Sequence, residues 1–351
     1  MKSKDIIITP LLDTLRLEKI SDTEYFSVKY SNYISNSRLG LIDPNRDGSA
    51  EKFFSGFKPI CSSSLDIGSA VHAMCLQKKL YNIVDSVDKP TGKMGVMADK
   101  LFSKCKGSIP TDKDIILIAK EIDYYGGNLS PKRISEVIEK CSDYWVSKKQ
   151  YLETCTDTSK EDLYLDPKSR EIAYNCITAV ENNKSIQNLL KPKSDFGEIV
   201  SANEQGILLD VLVEIPTLKA KFILKLKSKL DNYTIDTLDN SVCVNDIKTL
   251  GKIVSEMSSN IDRFRYNREL AMYSWLLSLC AKKFYNLTNP TIKGNYLVVS
   301  TIPNYYTKVL PMTKGMFIEG WYEFVYLLKL VALNVATKEK YKDFGIWNIE
   351  N

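Results

Sequence analysis

The segment LKAKFILKLKSKLD, residues 218–231, alternates almost perfectly: Leu218, Ala220, Phe222, Leu224, Leu226 and Leu230 share one face, and Lys219, Lys221, Lys225, Lys227, Lys229 and Asp231 share the other. A sustained period of two fits only a β-strand with one face in a core and one face polar. Its neighbours carry the same signature. Phe196–Ala202, Ile207–Ile215, Lys219–Leu230 and Ser241–Ile247 are predicted as consecutive strands, with turns at Asn203-Glu204-Gln205-Gly206, Pro216-Thr217 and Leu238-Asp239-Asn240. This is an antiparallel meander, followed by a long helix over 256–284, a strand pair between Gly294 and Leu310, and an apolar helix over Met316–Thr337.

Upstream the period is helical. Gly68–Leu80 is predicted as a helix carrying His72. Thr111-Asp112 and Ser130-Pro131 are helix starts, the second with proline at the first helical position, so 111 to about 190 reads as helical throughout. Residues 1–66 mix short apolar clusters with turn chemistry and read as an irregular arm with a short helix near Ser37–Leu41. The expected architecture is α/β, a central mixed sheet flanked by helices: an N-terminal arm over 1–66 and a domain over 67–351, interrupted by a helical insertion at about 81–190. With 44% hydrophobic residues and no segment near the ~20 apolar residues of a membrane span, a membrane protein is not expected. Met1–Thr9 lacks the apolar stretch of a signal peptide, which points to a cytoplasmic chain. A net charge of +5 fits a nucleic-acid partner without demanding one.

One histidine, His72, is the only imidazole, which excludes paired-histidine zinc motifs. The eight cysteines, Cys61 and Cys155 among them, form no C-x-x-C pair, so zinc ribbons and iron-sulfur clusters are not expected. No G-x-x-x-x-G-K-[ST] loop is present, so no nucleotide cofactor is expected. VCVNDIKTL places Asp246 and Lys248 two apart on one strand face, with Ile247 pointing to the core and offering its carbonyl. Hard divalent cations take carboxylate and carbonyl oxygens, and a lysine beside them can orient or help deprotonate a water for attack on a phosphodiester. Alone, D-x-K is also a common surface ion pair. In YNRELAMYSWLL, Glu269 and Tyr273 are four apart and share a helix face. Asp231, closing a ladder of lysines, is a place where a metal could sit beside phosphate-contacting Lys225, Lys227 and Lys229.

In this order, GSAVHAM (68–74), KLKSKLDNYTID (225–236), VNDIKTL (244–250) and YNRELAMY (266–273) resemble the PD-(D/E)xK nuclease superfamily, which has a restriction-endonuclease-like core. Within it the similarity is to phage and prophage RecE-type exonucleases (exonuclease VIII), and more distantly to the RecB nuclease domain. YISNSRLGLIDP (33–44) and YLVVSTIPNYYTKVLPM (296–312) extend it towards both ends of the chain. The resemblance implies Mg²⁺ or Mn²⁺ held by Asp231, Asp246, the Ile247 carbonyl and His72, with Glu198 near a second metal and Lys248 positioning or activating the attacking water. Relatives carry glutamine where this chain has Glu269. The implied activity is 5′ to 3′ digestion of linear double-stranded DNA, leaving single strands for an annealing recombinase in phage recombination, by a homo-oligomer. A single-strand-specific or endonucleolytic enzyme, or an inactive DNA-binding relative, fits the same motifs.

Overall fold

A computed structural model describes residues 5–56, 63–85, 90, 92–106, 108–154, 160–193 and 198–347. Cys61, Cys155 and the expected strand start at Phe196 lie outside them. In chain order the first half comprises β1 (Ile7–Pro10), β2 (Arg16–Lys19), α1 (Asp22–Tyr25), β3 (Tyr33–Ile34), α2 (Asn36–Leu39), α3 (Ala50–Phe54), α4 (Ser63–Gln77), β4 (Tyr81–Asp85), α5 (Gly92–Cys105), α6 (Asp112–Glu121), α7 (Pro131–Thr154), β5 (Glu161–Leu165), α8 (Pro167–Asn182) and α9 (Lys184–Leu190). The second half comprises β6 (Ile199–Ile215), β7 (Ala220–Asp236), β8 (Ser241–Leu250), α10 (Met257–Phe264), α11 (Tyr266–Tyr285), β9 (Thr291–Ser300), β10 (Thr307–Pro311) and α12 (Lys314–Thr337).

The apolar face of β7 is what builds the centre. Phe222, Leu224, Leu226 and Leu230 are each 0% exposed, and burying a side chain of this size contributes about 1.5–3 kcal/mol. Around it forms an eight-stranded mixed sheet of order β1-β6-β7-β8-β9-β10, with β2 also on β6 and β3 on β7. The β3–β7 and β8–β9 pairs are parallel and the others antiparallel. One face packs on α11 and α12 through residues such as Leu276, Phe324 and Leu328. The other carries α4, α8 and α9, with Ala70, Val71 and Ile177 against Ile247, Leu297 and Val299. Helices α5 to α7 bury a third core around Leu101, Ile115 and Trp145. No helix among the described residues is long and apolar enough to cross a membrane.

Several sequence expectations change. The arm is not irregular, because β1, β2 and β3 all join the sheet. The stretch from 81 to 190 is not wholly helical, since β4 and β5 pair in parallel. Lys219 adopts a left-handed φ of 49°, so β7 starts one residue later, and Leu218 is 40% exposed in the turn. Strand β7 runs on past Asp231 to Asp236. Arg265, at φ 57°, splits the expected long helix into α10 and α11. The two strands expected at 196–202 and 207–215 are one continuous strand, β6.

Local rules hold where caps were legible. Thr111 and Asp114 form a reciprocal capping box at α6, and α7 starts at Pro131 with the Arg133 N–H donating to Ser130 Oγ at 3.4 Å. Arg268 of α11, 1% exposed, ties three elements together. Its guanidinium meets Glu323 of α12 at 2.8 Å and Asn36 of α2 at 2.7 Å. Gly320 is required at the α11–α12 contact, because a Cβ there would lie 2.2 Å from the Asn267 carbonyl oxygen.

Candidate metal and catalytic site

Glu204 sits inside β6 with a φ of 53°, a left-handed conformation that a non-glycine residue rarely adopts in a strand. The β6–β7 ladder pairs Asn203 with Asn232 and Gln205 with Leu230, and skips Glu204 and Asp231 between them. The alternation of both strands changes phase at this gap. Before it β7 turns Leu224, Leu226 and Leu230 to the α11–α12 core, and after it Tyr233 and Ile235 face the same core. On β6, Ile207 to Ile215 and then Val200 and Ala202 show the same switch. The inversion releases the Glu204 and Asp231 carboxylates from the ladder and lets them converge.

Helix α4 brings the imidazole to them. Gly68 lets α4 approach β8 closely, since a Cβ there would lie 3.1 Å from Thr249 Oγ1. His72 Nδ1 is 3.3 Å from Asp231 Oδ2, and the same oxygen accepts the Ile247 backbone N–H at 2.7 Å. One ligand atom from each of His72, Glu204 and Asp231 falls within 4.8 Å of the others, a cluster able to hold a metal ion. Burial opposes a charged imidazole, but the neighbouring Asp231 outweighs it and lifts the His72 pKa to about 9. Burial likewise opposes an ionised Asp231, and His72 with the Ile247 N–H holds it below the usual carboxylate range. Glu204 is pushed up by burial and by the charge of Asp231, and Lys229 answers it with a 2.7 Å ion pair.

A second group lies on the α11 side of β8. Lys248 Nζ donates to Asp246 Oδ1 at 3.0 Å and to Glu269 Oε2 at 3.0 Å, and Tyr273 donates to Glu269 Oε1 at 3.2 Å. Asp246 Oδ2 lies 2.9 Å from the same ammonium, yet this buried oxygen has no hydrogen-bond partner among the described residues. Burial pushes the Asp246 pKa up to about 7. Burial also opposes the Lys248 charge, but Asp246 and Glu269 reverse the balance and hold its pKa well above normal. His72, Glu204, Asp231, Ile247 and Lys248 line one cleft of about 770 Å³, whose walls include Phe26, Phe264 and Tyr266.

The expected residues therefore separate into groups. His72, Asp231, Asp246, Ile247, Lys248, Glu269 and Tyr273 gather around the sheet where β7 and β8 diverge, their ladder pairing ending at Asn232–Asn245. Glu198 does not join them. It precedes β6 at the end paired with Asp236, roughly 20 Å of strand away from Glu204, which lies with His72 and Asp231 instead. Lys227 is not a free phosphate contact: it is 7% exposed and donates to the Tyr25 carbonyl at 2.6 Å. Lys229 is engaged by Glu204 and by Asp22 at 2.6 Å. Lys225 lies over the Tyr33 ring, 5.4 Å from its centroid, well back along β7. Sequence reasoning missed Glu204 because Asn-Glu-Gln-Gly carries turn chemistry. The signal was real, since it marks a left-handed residue, but that residue lies within a strand.

No known family profile and no curated protein matches the chain. Among solved structures, the crystal structure at 2.19 Å of a protein from Eubacterium rectale named "putative exonuclease" is similar, with a TM-score of 0.44 and 12% identity, over 92% of this chain and 88% of that one.

Proposed function

We propose that this protein is a divalent-metal-dependent deoxyribonuclease of the PD-(D/E)xK kind, acting on linear double-stranded DNA. The observation that carries the reading is the convergence of Glu204, Asp231 and His72 on one cleft that Lys248 also lines, with Asp246 and Glu269 paired to Lys248 behind it. The donor set fits a hard cation: carboxylate oxygens, a backbone carbonyl and one imidazole. The buried Asp246 Oδ2, beyond its 2.9 Å ion pair with Lys248, has no hydrogen-bond partner among the described residues and could also face such an ion. Asp231, Asp246, Glu204, the Ile247 carbonyl and His72 would hold the ion.

Bound there, Mg²⁺ or Mn²⁺ would act as a Lewis acid on the phosphate oxygens and increase the acidity of a bound water. The chain's own groups do the remaining work. Lys248, kept cationic by Asp246 and Glu269, orients the attacking water and offsets negative charge gathering on the phosphorane oxygens. Tyr273 holds Glu269, and so the ammonium, in place. The Ile247 N–H, donated at 2.7 Å, orients the Asp231 carboxylate and favours its ionised form. Digestion from 5′ ends, a threading homo-oligomer and an annealing partner follow from the motif resemblance.

The test is digestion of linear duplex DNA labelled at the 5′ or the 3′ end, with and without Mg²⁺, beside circular and single-stranded controls. Mononucleotides released from 5′ ends only with metal, and inert Asp246→Ala and Lys248→Ala variants, are the expected result. Cleavage of circles would make the enzyme an endonuclease. No cleavage at all, or variants that cut as well as the parent, would remove these residues from catalysis.

A further inference from the structure

Each of three carboxylates of the site has an asparagine as its immediate chain neighbour: Asn203 beside Glu204, Asn232 beside Asp231, and Asn245 beside Asp246. With Asn295 of β9 these asparagines stand opposite one another across four strands, paired Asn203–Asn232, Asn232–Asn245 and Asn245–Asn295. Their amides form a continuous chain. Asn295 Nδ2 donates to Asn245 Oδ1 at 2.9 Å, Asn245 Nδ2 to Asn232 Oδ1 at 2.7 Å, and Asn232 Nδ2 to Asn203 Oδ1 at 2.7 Å. Asn232 and Asn245 are 0% exposed.

The chain also reaches the helices above that face. Asn203 Nδ2 donates to the Leu76 carbonyl of α4 at 2.9 Å, Asn245 to the Leu189 carbonyl and Asn232 to the Leu190 carbonyl, both of α9 and both at 3.2 Å. Asparagine is depleted in strands, and a buried amide without a partner is costly. Four in register are therefore compatible with one pairing of the strands only, since a slip of one residue would orphan every amide.

We infer that this asparagine ladder is a positioning device for the metal site. It locks β6, β7 and β8 in register one residue away from Glu204, Asp231 and Asp246. Through Leu76 it also sets the distance of α4, and hence of His72, from the sheet. The inference rests on the metal-site reading above. The ladder touches neither metal nor substrate; it holds the backbones that carry the ligands while the phase of β6 and β7 switches and the pairing there is interrupted.

The probe is Mn²⁺, with affinity measured by calorimetry or electron paramagnetic resonance on the full chain, DNA absent, and thermal stability measured alongside. Asn203→Ala truncates the half-buried end of the ladder and frees α4. It is expected to weaken Mn²⁺ by about tenfold, within the range typical of groups that orient ligands. Asn232→Leu, in the middle, is expected to weaken it further. Asn334→Ala removes a side-chain bond remote from the site, Asn334 Nδ2 to the Leu330 carbonyl at 2.9 Å in α12, and is expected to leave Mn²⁺ affinity unchanged. If Asn203→Ala binds Mn²⁺ as the parent does, or if Asn334→Ala weakens it equally, the positioning role is overturned; this holds even if Asn232→Leu does not fold. Asp231→Asn separates the two claims. A parent that binds no Mn²⁺, or an Asp231→Asn variant that binds it undiminished, defeats the metal-site reading and the ladder inference with it.

Discussion

Lys227 and Lys248 lie on neighbouring strands of one sheet, both largely buried, and burial pulls on their charges in the same sense. What faces them differs. Lys248 sits between two carboxylates, and its pKa rises well above normal. Lys227 has a backbone carbonyl and the rings of Tyr25, Phe26 and Tyr30, at 4.3, 5.9 and 5.9 Å. Burial, and then the charge of Arg38, lower its pKa to about 8. Partners, more than depth, decide the state of a buried lysine. Lys248 is thus held as a cation between two carboxylates, whereas Lys227 is a tie that fastens α1 to β7.

The comparison breaks most visibly in activity. Lys248→Met is expected to reduce DNA digestion by about 10²–10⁴-fold, while Lys227→Met stays within a few-fold of the parent; equal losses in an end-labelled DNA assay would erase the distinction. Without metal, Lys248→Met is also expected to lose about 3–5 kcal/mol in chemical denaturation, because Asp246 and Glu269 lose the cation between them. Glu269→Gln sharpens the same point. The amide oxygen can still accept from Lys248 while the amide NH2 donates to the Tyr273 hydroxyl, so activity is expected within about tenfold of the parent, and a collapse comparable to that of Lys248→Met would show that the second carboxylate itself is needed.

The smallest effect is in the pH dependence of stability. Between pH 8 and 10.5 the unfolded chain still binds a proton that folded Lys227 has released, so this residue makes stability rise with pH across that window. Below pH 8 the full penalty of holding the buried charge is present. Lys227→Met is therefore expected to compare best with the parent near pH 7, by a few kcal/mol at most, and to lose that advantage by pH 10.5. Urea titrations of both proteins across that range measure it, and parallel pH profiles would refute it.

The sequence carried the parts of the site that local spacing encodes. Asp246 and Lys248 two apart on a strand, and Glu269 and Tyr273 four apart on a helix, share faces by geometry alone, and the two pairs meet through hydrogen bonds. His72 was visible as the only imidazole of the sequence. The strands β7 to β10 and the capped helices were legible for the same local reason. Glu204 was not, because a left-handed residue reads as a turn whether the chain reverses or continues. Nor was the fate of Lys227, since alternation assigns a face but not what covers it. The cover comes from α1 and the residues that follow it. The asparagines of the ladder were equally silent, because their partners lie on other strands.

The Lys227–Tyr25 bond joins residues 202 positions apart, and this sets a timetable for synthesis. At ribosomal speeds of about 5–20 residues per second, the segment bearing Asp22 and Phe26, one wall of the cleft, waits roughly 10–40 s for the strand it docks on. In that interval β1, β2 and β3 have no partners, because all three pair with β6 or β7. Such long-range pairing slows folding and leaves strand edges open meanwhile. The nascent arm is accordingly where a chaperone would be expected to act, and where crowded expression would first lead to aggregation.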